Sequence, residues 1–285
     1  MRKIFYLIKS ILHHILLPMK ITSFFFRLQL PLIICLYISS CSTKVDMDDI
    51  PETVISQEML NKVNKRNIYF AHQSVGFNIL DGLSKLNKDM NVIEVKDIQP
   101  SDQSFFSHSE IGENTKPVLK LQDFSSTLNK IPMGKIDIAF LKFCYVDIGR
   151  NTDIESLFDT YKETYESLAK KFPDITFVHF TVPLTIRKTG LKPTAKRILG
   201  RDVWGDNQNI KRQEFNILIR NNYDIVFDIA EIESTDLKGI QTIHTSKGYK
   251  YFGLVPEYTD DGSHLNSVGS KIVAGKLIKF ISEIE

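Results

Sequence analysis

A carboxylate and an imidazole stand three residues apart in Asp261-Gly262-Ser263-His264, just ahead of the apolar-periodic stretch that closes the chain. An imidazole held by a carboxylate is suited to general-base work, and it needs a hydroxyl or thiol within reach. The candidate hydroxyl lies far upstream, in Ile68-Tyr69-Phe70-Ala71-His72-Gln73-Ser74-Val75-Gly76, where an apolar, strand-like run breaks at Ser74. Ser74 is a weak nucleophile by itself, but it becomes competent if His264 takes its proton while Asp261 fixes the imidazole tautomer and stabilises the imidazolium. The three residues together predict Ser/His/Asp hydrolytic chemistry. A helix opening at Val75 would add backbone N–H groups, that of Ser74 included, aimed at a developing oxyanion. Ser74 also suits a plain helix cap, and Asp261-Gly262 a plain turn.

Other chemistries find less support in the residues. His72, His108, His179, His244 and His264 include no His-Glu-x-x-His pair and no matching cysteine pairs, and there is no P-loop or Gly-x-Gly-x-x-Gly. No metal or cofactor is therefore expected. His179 sits inside an apolar run and reads as core, while His72 is either core or a support for the site. The formal charge is +2, but Arg2, Lys3, Lys9, Lys20 and Arg27 stand unopposed by any acid in the first forty residues, so the remainder is slightly acidic. Nothing in that balance calls for a nucleic-acid partner.

The elements that must position these residues alternate between strand and helix patterns. Asn67 to His72, Asn91 to Val95, Ile136 to Phe143, Ile175 to Val182 and Asp224 to Ile229 read as five strands. The third is nearly continuous apolar sequence, as expected of a strand buried on both faces. Helical patterns follow at Phe77 to Leu86, Pro117 to Leu128, Ile154 to Phe172 and Gln208 to Asn221, with a last helix capped by Ser267. Gln99 to Lys116 reads as a long polar loop, and Gln241 to Pro256 as a short hairpin. This rhythm predicts a three-layer α/β/α sandwich around a five-stranded parallel sheet in the flavodoxin-like order 2-1-3-4-5, with functional loops at the C-terminal ends of the strands. Leu184 to Gly205 interrupts the rhythm with six basic residues around Trp204, the only tryptophan, and is either a solvated insertion or a wall over the site.

The N-terminus reads as targeting sequence. Leu28 to Ile38 is an apolar run of signal-peptide length preceded by Lys20 and Arg27, and Met19 makes a more ordinary start than Met1. Ile38-Ser39-Ser40-Cys41 resembles the lipobox of bacterial lipoproteins, which implies cleavage after residue 40, a lipid on Cys41 and a membrane-anchored place in a bacterial cell envelope. Residues 41–60 then form a tether, polar and acidic from Ser42, and 61–285 a single domain. Cys144 would remain the only thiol, with no disulfide partner, and reads as a buried small hydrophobe.

With these residues in view, the chain resembles the SGNH (GDSL-type) hydrolases. Asp261 and His264, continued by Leu265-Asn266, match the Asp-x-x-His block ahead of the family's last helix. Ser74 matches its serine after the first strand, although Gly-Asp-Ser is here His72-Gln73-Ser74. The resemblance implies an esterase, with an O-acetylated carbohydrate or another small ester as partner. The family's Gly-x-Asn-Asp block has no asparagine here, the third strand ending in Phe143-Cys144-Tyr145-Val146-Asp147. The resemblance therefore leaves the oxyanion donor to Gln73, Tyr145 or backbone amides, with Gly112 in the place of the second block's glycine. A hydrolase-derived module that binds glycan without catalysis is the alternative.

Overall fold

The computed structural model describes residues 55–99, 104–132 and 134–285. The expected leader, Met19 start, lipidated Cys41 and most of the tether lie outside them. The domain opens with helix α1 (Gln57–Val63), capped by the Ser56 hydroxyl, and this helix crosses the domain boundary expected at residue 60. Ile55, Met59 and Leu60 explain why: they pack on the core instead of facing solvent.

Six parallel strands make one sheet: β1 (Asn67–His72), β2 (Val92–Glu94), β3 (Phe105–Glu110), β4 (Ile138–Leu141), β5 (Thr176–Phe180) and β6 (Val226–Phe227). Their order is β2-β3-β1-β4-β5-β6. The five expected strands keep their expected sequence across the sheet, but a sixth, β3, is inserted between the first two. It pairs with β1 from Asn67↔Phe105 to His72↔Glu110. The polar stretch 107–110 hid it. Long-range partners offset that polarity: Ser107 Oγ donates to Ile68 O at 2.8 Å, Ser109 Oγ meets the Tyr69 hydroxyl at 2.9 Å, and His108 Nδ1 meets His72 Nε2 at 3.2 Å.

Alternation along the strands builds a core on each face. Ile68, Phe70, Phe106, Ile138, Phe140, Val178 and Phe180 face α2 (Val75–Leu86) and the C-terminal helix. Tyr69, Ala71, Phe105, Ala139 and Leu141 face α3 (Pro117–Leu128) and α4 (Ile154–Lys171). After β5 come α5 (Leu191–Ile198), inside the segment expected as an interruption, and α6 (Asp206–Asn222). The stretch expected as a strand to Ile229 shortens to β6 because Asp228 caps α7 (Ile229–Ser234) through Glu231 N–H. A small antiparallel hairpin, β7 (His244–Ser246) and β8 (Tyr249–Tyr251), lies in the stretch read as one. The C-terminal helix is α8 (Ser267–Ser282). Asn266, one residue before Ser267, caps it by accepting from Val268 and Gly269 N–H. Because every strand of the main sheet runs the same way, the loops after His72, Glu110 and Leu141 gather at one rim.

Candidate active site

Ser74 occupies the turn between β1 and α2 with φ 52° and ψ −108°, an unusual conformation for a residue with a side chain. Such a backbone costs on the order of 1–3 kcal/mol and persists only where its surroundings enforce it. They do so through Gln73. The Gln73 carbonyl accepts from Gly76 N–H at 3.1 Å, Lys142 Nζ at 3.1 Å and Cys144 Sγ at 3.4 Å, and its side-chain Nε2 donates to Ile111 O at 2.9 Å and Gly112 O at 2.6 Å. Gly76 belongs to the same device: a Cβ there would sit 2.3 Å from the buried His72 ring, so only glycine lets α2 start this close to β1.

Although Ser74 stands at the N-cap position of α2, its hydroxyl caps nothing. It points across the rim to His264 Nε2, at 2.6 Å. His264 Nδ1 lies 2.6 Å from Asp261 Oδ2. A carboxylate can only accept, so Nδ1 carries the proton and Nε2 presents its lone pair to the serine. Burial pushes the Asp261 carboxyl up, but hydrogen bonds from the His264 ring and from the His264 and Ser263 N–H groups outweigh it and bring its pKa to about 2. Asp261 is thus ionised wherever an imidazole could serve as base. Its Oδ1 accepts from Ser263 and His264 N–H, both at 2.8 Å, closing the turn on itself. Gly262 supplies the φ of +87° that the turn needs, and its carbonyl accepts from Ile186 N–H.

Of the residues expected to help an oxyanion, the structure brings Tyr145 beside the site, its ring 5.5 Å from that of His264 and nearly perpendicular to it. Two others are engaged elsewhere. The Gln73 amide is tied to the Ile111 and Gly112 carbonyls, and the Gly112 N–H donates to Asp123 Oδ2 at 2.7 Å. In this geometry neither group is free to meet a substrate oxygen, since each already satisfies a neighbour that would otherwise be left unpaired. Tyr145, whose side chain hydrogen-bonds Ser263, and the backbone N–H groups of Ser74 and Val75 are what remain, the Gly76 N–H being held by the Gln73 carbonyl.

Beneath the rim lies a layer of buried charge that sequence reading missed. Lys142, fully buried directly after β4, donates to the Gln73 and Phe143 carbonyls. Burial pulls its ammonium below the ordinary lysine range. Arg212 on α6 donates to the Tyr145 carbonyl at 2.8 Å and to Asn209 and Thr185, and burial lowers it to about 10, so it stays charged. Glu233, fully buried, accepts from Leu184 N–H at 2.6 Å, and desolvation raises it to about 8 against the pull of that N–H, Lys142 and Arg212. Lys120 and Asp147 form an ion pair at 2.7 Å with both side chains inaccessible, and Asp147 also holds the Cys144 and Thr115 N–H groups. The signal available in sequence was the placement of Lys142, a charge between the apolar run Ile138–Leu141 and Phe143. Cys144 is buried and free, as its apolar neighbourhood predicts. His72 and His179 are buried as well; desolvation pulls them to about 2 and about 3, so both are neutral.

Fold and site together define a three-layer α/β domain with a serine, histidine and aspartate in one hydrogen-bonded chain at the C-terminal rim of its sheet. No protein-family model and no curated protein matches the sequence. Solved structures similar to it include a Streptococcus pneumoniae protein proposed to be a platelet activating factor, at 16% identity and TM-score 0.47, covering 79% of this chain and 91% of that one. A carbohydrate esterase family 3 protein from Talaromyces cellulolyticus is similar at 13% identity and TM-score 0.42, covering 76% and 98%. An acetyl esterase S10A mutant crystallised with acetate ion is similar at 13% identity and TM-score 0.43, again covering 76% and 98%. Likenesses this distant leave the chemistry of this chain to its own residues.

Proposed function

We propose that this protein is an SGNH-like serine esterase acting on a small ester such as an O-acetyl group of a carbohydrate. The observation that carries the proposal is the unbroken chain Ser74 Oγ–His264 Nε2–Asp261, with 2.6 Å at both links. Ser74 attacks the ester carbonyl and His264 takes its proton. Tyr145 and the backbone at the start of α2 face the developing oxyanion. The tetrahedral intermediate collapses when His264 returns the proton to the departing alcohol; water, activated by the same imidazole, then releases the acid. The expected lipid anchor at Cys41 would hold this activity at a bacterial cell envelope. The test is hydrolysis of p-nitrophenyl acetate by the protein and by Ser74→Ala: turnover that disappears with the hydroxyl supports the esterase, whereas equal rates refute it.

A second reading has one observation in its favour. With the Gln73 side-chain amide and the Gly112 backbone N–H tied to their neighbours, the oxyanion site has fewer free donors than the family pattern implies, as a hydrolase-derived glycan-binding module would. Equal, near-zero rates for both proteins, together with retention on an acetylated polysaccharide, would favour that reading.

A further inference from the structure

Helix α5 is attached to the domain by the wrong face for an ordinary surface helix. Amphipathic helices normally turn their apolar stripe to the core and their charges to water. Here Pro193 and Arg197, one turn apart, are the two residues of α5 that are not fully exposed. Arg197 reaches inward to make a two-point pair with Asp206, Nε to Oδ2 at 2.7 Å and Nη2 to Oδ1 at 2.8 Å, and the Tyr251 hydroxyl donates to the same carboxylate at 2.8 Å. The carboxylate is 1% exposed, so the attachment is a desolvated, charge-assisted one.

The opposite side carries Leu191, Ala195, Ile198 and Leu199 at helical spacing i, i+4, i+7 and i+8. Leu191 is 92% exposed, Ile198 80% and Leu199 67%. Lys192 and Lys196 flank this stripe. Lys188 lies 4.7 Å over the ring of Trp204, which is itself exposed. From Leu184 to Arg201 there are six basic residues and no acidic one. Asp202, the first acid after that stretch, is already paired with Lys247.

We propose that α5 docks the domain on an anionic lipid surface, with Leu191, Ile198 and Leu199 entering the headgroup region and Lys188, Lys192, Lys196 and Arg201 meeting lipid phosphates. An apolar stripe flanked by lysines is what a helix lying in the plane of a membrane interface presents. Phosphates of a nucleic acid would account for the lysines and leave the stripe uncovered. The Arg197–Asp206 attachment holds the stripe outward before any lipid is met. The proposal concerns binding and stands apart from the esterase reading.

The described residues from 55 on carry both cores, and the chain from residue 45 to 285 is the material for the test. It is sedimented with phosphatidylcholine vesicles with and without phosphatidylglycerol, beside the variant Leu191→Ser/Ile198→Ser/Leu199→Ser and the variant Lys192→Gln/Lys196→Gln. The expected result is binding to the anionic vesicles, weakened at least tenfold by the serine variant and severalfold by the glutamine variant. It should also be weakened near 1 M salt, where screening reaches within about 3 Å. Because all five positions are exposed, melting curves should coincide and so separate lost docking from lost folding. The proposal is overturned if the unsubstituted protein fails to bind, or if the serine variant binds within twofold of it. A dimer in light scattering that the serine variant dissolves would also overturn it, since the stripe would then be covered by a second copy.

Discussion

The rim and the floor of the candidate site are built by opposite means. At the rim, Asp261 and His264 are exposed, with 55% and 42% of their side chains accessible, and their geometry comes from a single four-residue turn. At the floor, Lys142, Arg212 and the Lys120–Asp147 pair are buried and bonded to residues from other elements, while buried Glu233, raised to about 8 by desolvation, accepts from Leu184 N–H through Oε2 and leaves Oε1 without a partner. In water the rim's charges are screened, so their value lies in direction: which nitrogen holds the proton, and where the lone pair points. Away from water the floor's charges interact strongly, and an unpaired one is costly. The rim should therefore govern rate alone, and the floor both stability and the placement of Ser74.

Substitutions can break this contrast in order of expected size. His264→Ala should lower kcat about 10^4- to 10^6-fold, and Asp261→Asn about 10^4-fold, with melting temperature almost unchanged in both. Steady-state ester hydrolysis beside a melting curve checks both quantities. Floor substitutions should cost stability, the placement of Ser74, or both. Lys120→Met strands the Asp147 carboxylate in a fully buried place and should cost about 3–5 kcal/mol of stability, read from denaturant unfolding. Lys142→Met removes one of the three donors on the Gln73 carbonyl and loosens the strained Ser74 turn. We expect kcat to fall roughly 10- to 100-fold, or about 1.4–2.7 kcal/mol, with KM little changed. A melting-point loss with kcat intact would instead make Lys142 a merely structural residue.

The buried histidines give a smaller, pH-dependent effect. The folded protein keeps His72 and His179 neutral down to about 2 and about 3, whereas in the unfolded chain both take up protons near 6.5. Below 6.5 the unfolded state binds more protons, so stability is fully present above that pH and falls as the pH drops toward the folded values. The slope is about 1.4 kcal/mol per pH unit for each histidine. His179→Phe should flatten the slope measured by denaturant unfolding between pH 6 and pH 4, roughly by half of the histidine contribution. An unchanged slope would contradict neutral burial. Smallest of all should be Lys247→Ala at the exposed pair with Asp202, whose melting curve should overlay that of the unsubstituted protein.

What the sequence made legible follows the same division. Asn67–His72 and Pro117–Leu128 end where their apolar periods end, and both bounds are visible without coordinates. The Asp261–His264 pairing is an i,i+3 relation, local enough to read directly. Strand β3 was not legible, because Ser107, His108 and Ser109 look like loop residues until Ile68, His72 and Tyr69 are placed beside them. The floor was hidden for a related reason. Lysine, arginine and glutamate in a sequence read as solvent-facing, and only the fold shows that Gln73, Tyr145 and Leu184 supply their partners.

The central claim is that Ser74 is an activated nucleophile, and covalent labelling tests it most directly. The protein and His264→Ala would each be treated with a fluorophosphonate and mapped by peptide mass. Modification at Ser74 that is lost in His264→Ala is the predicted result. A protein left unmodified, or one labelled at Ser74 equally well without the imidazole, would contradict it.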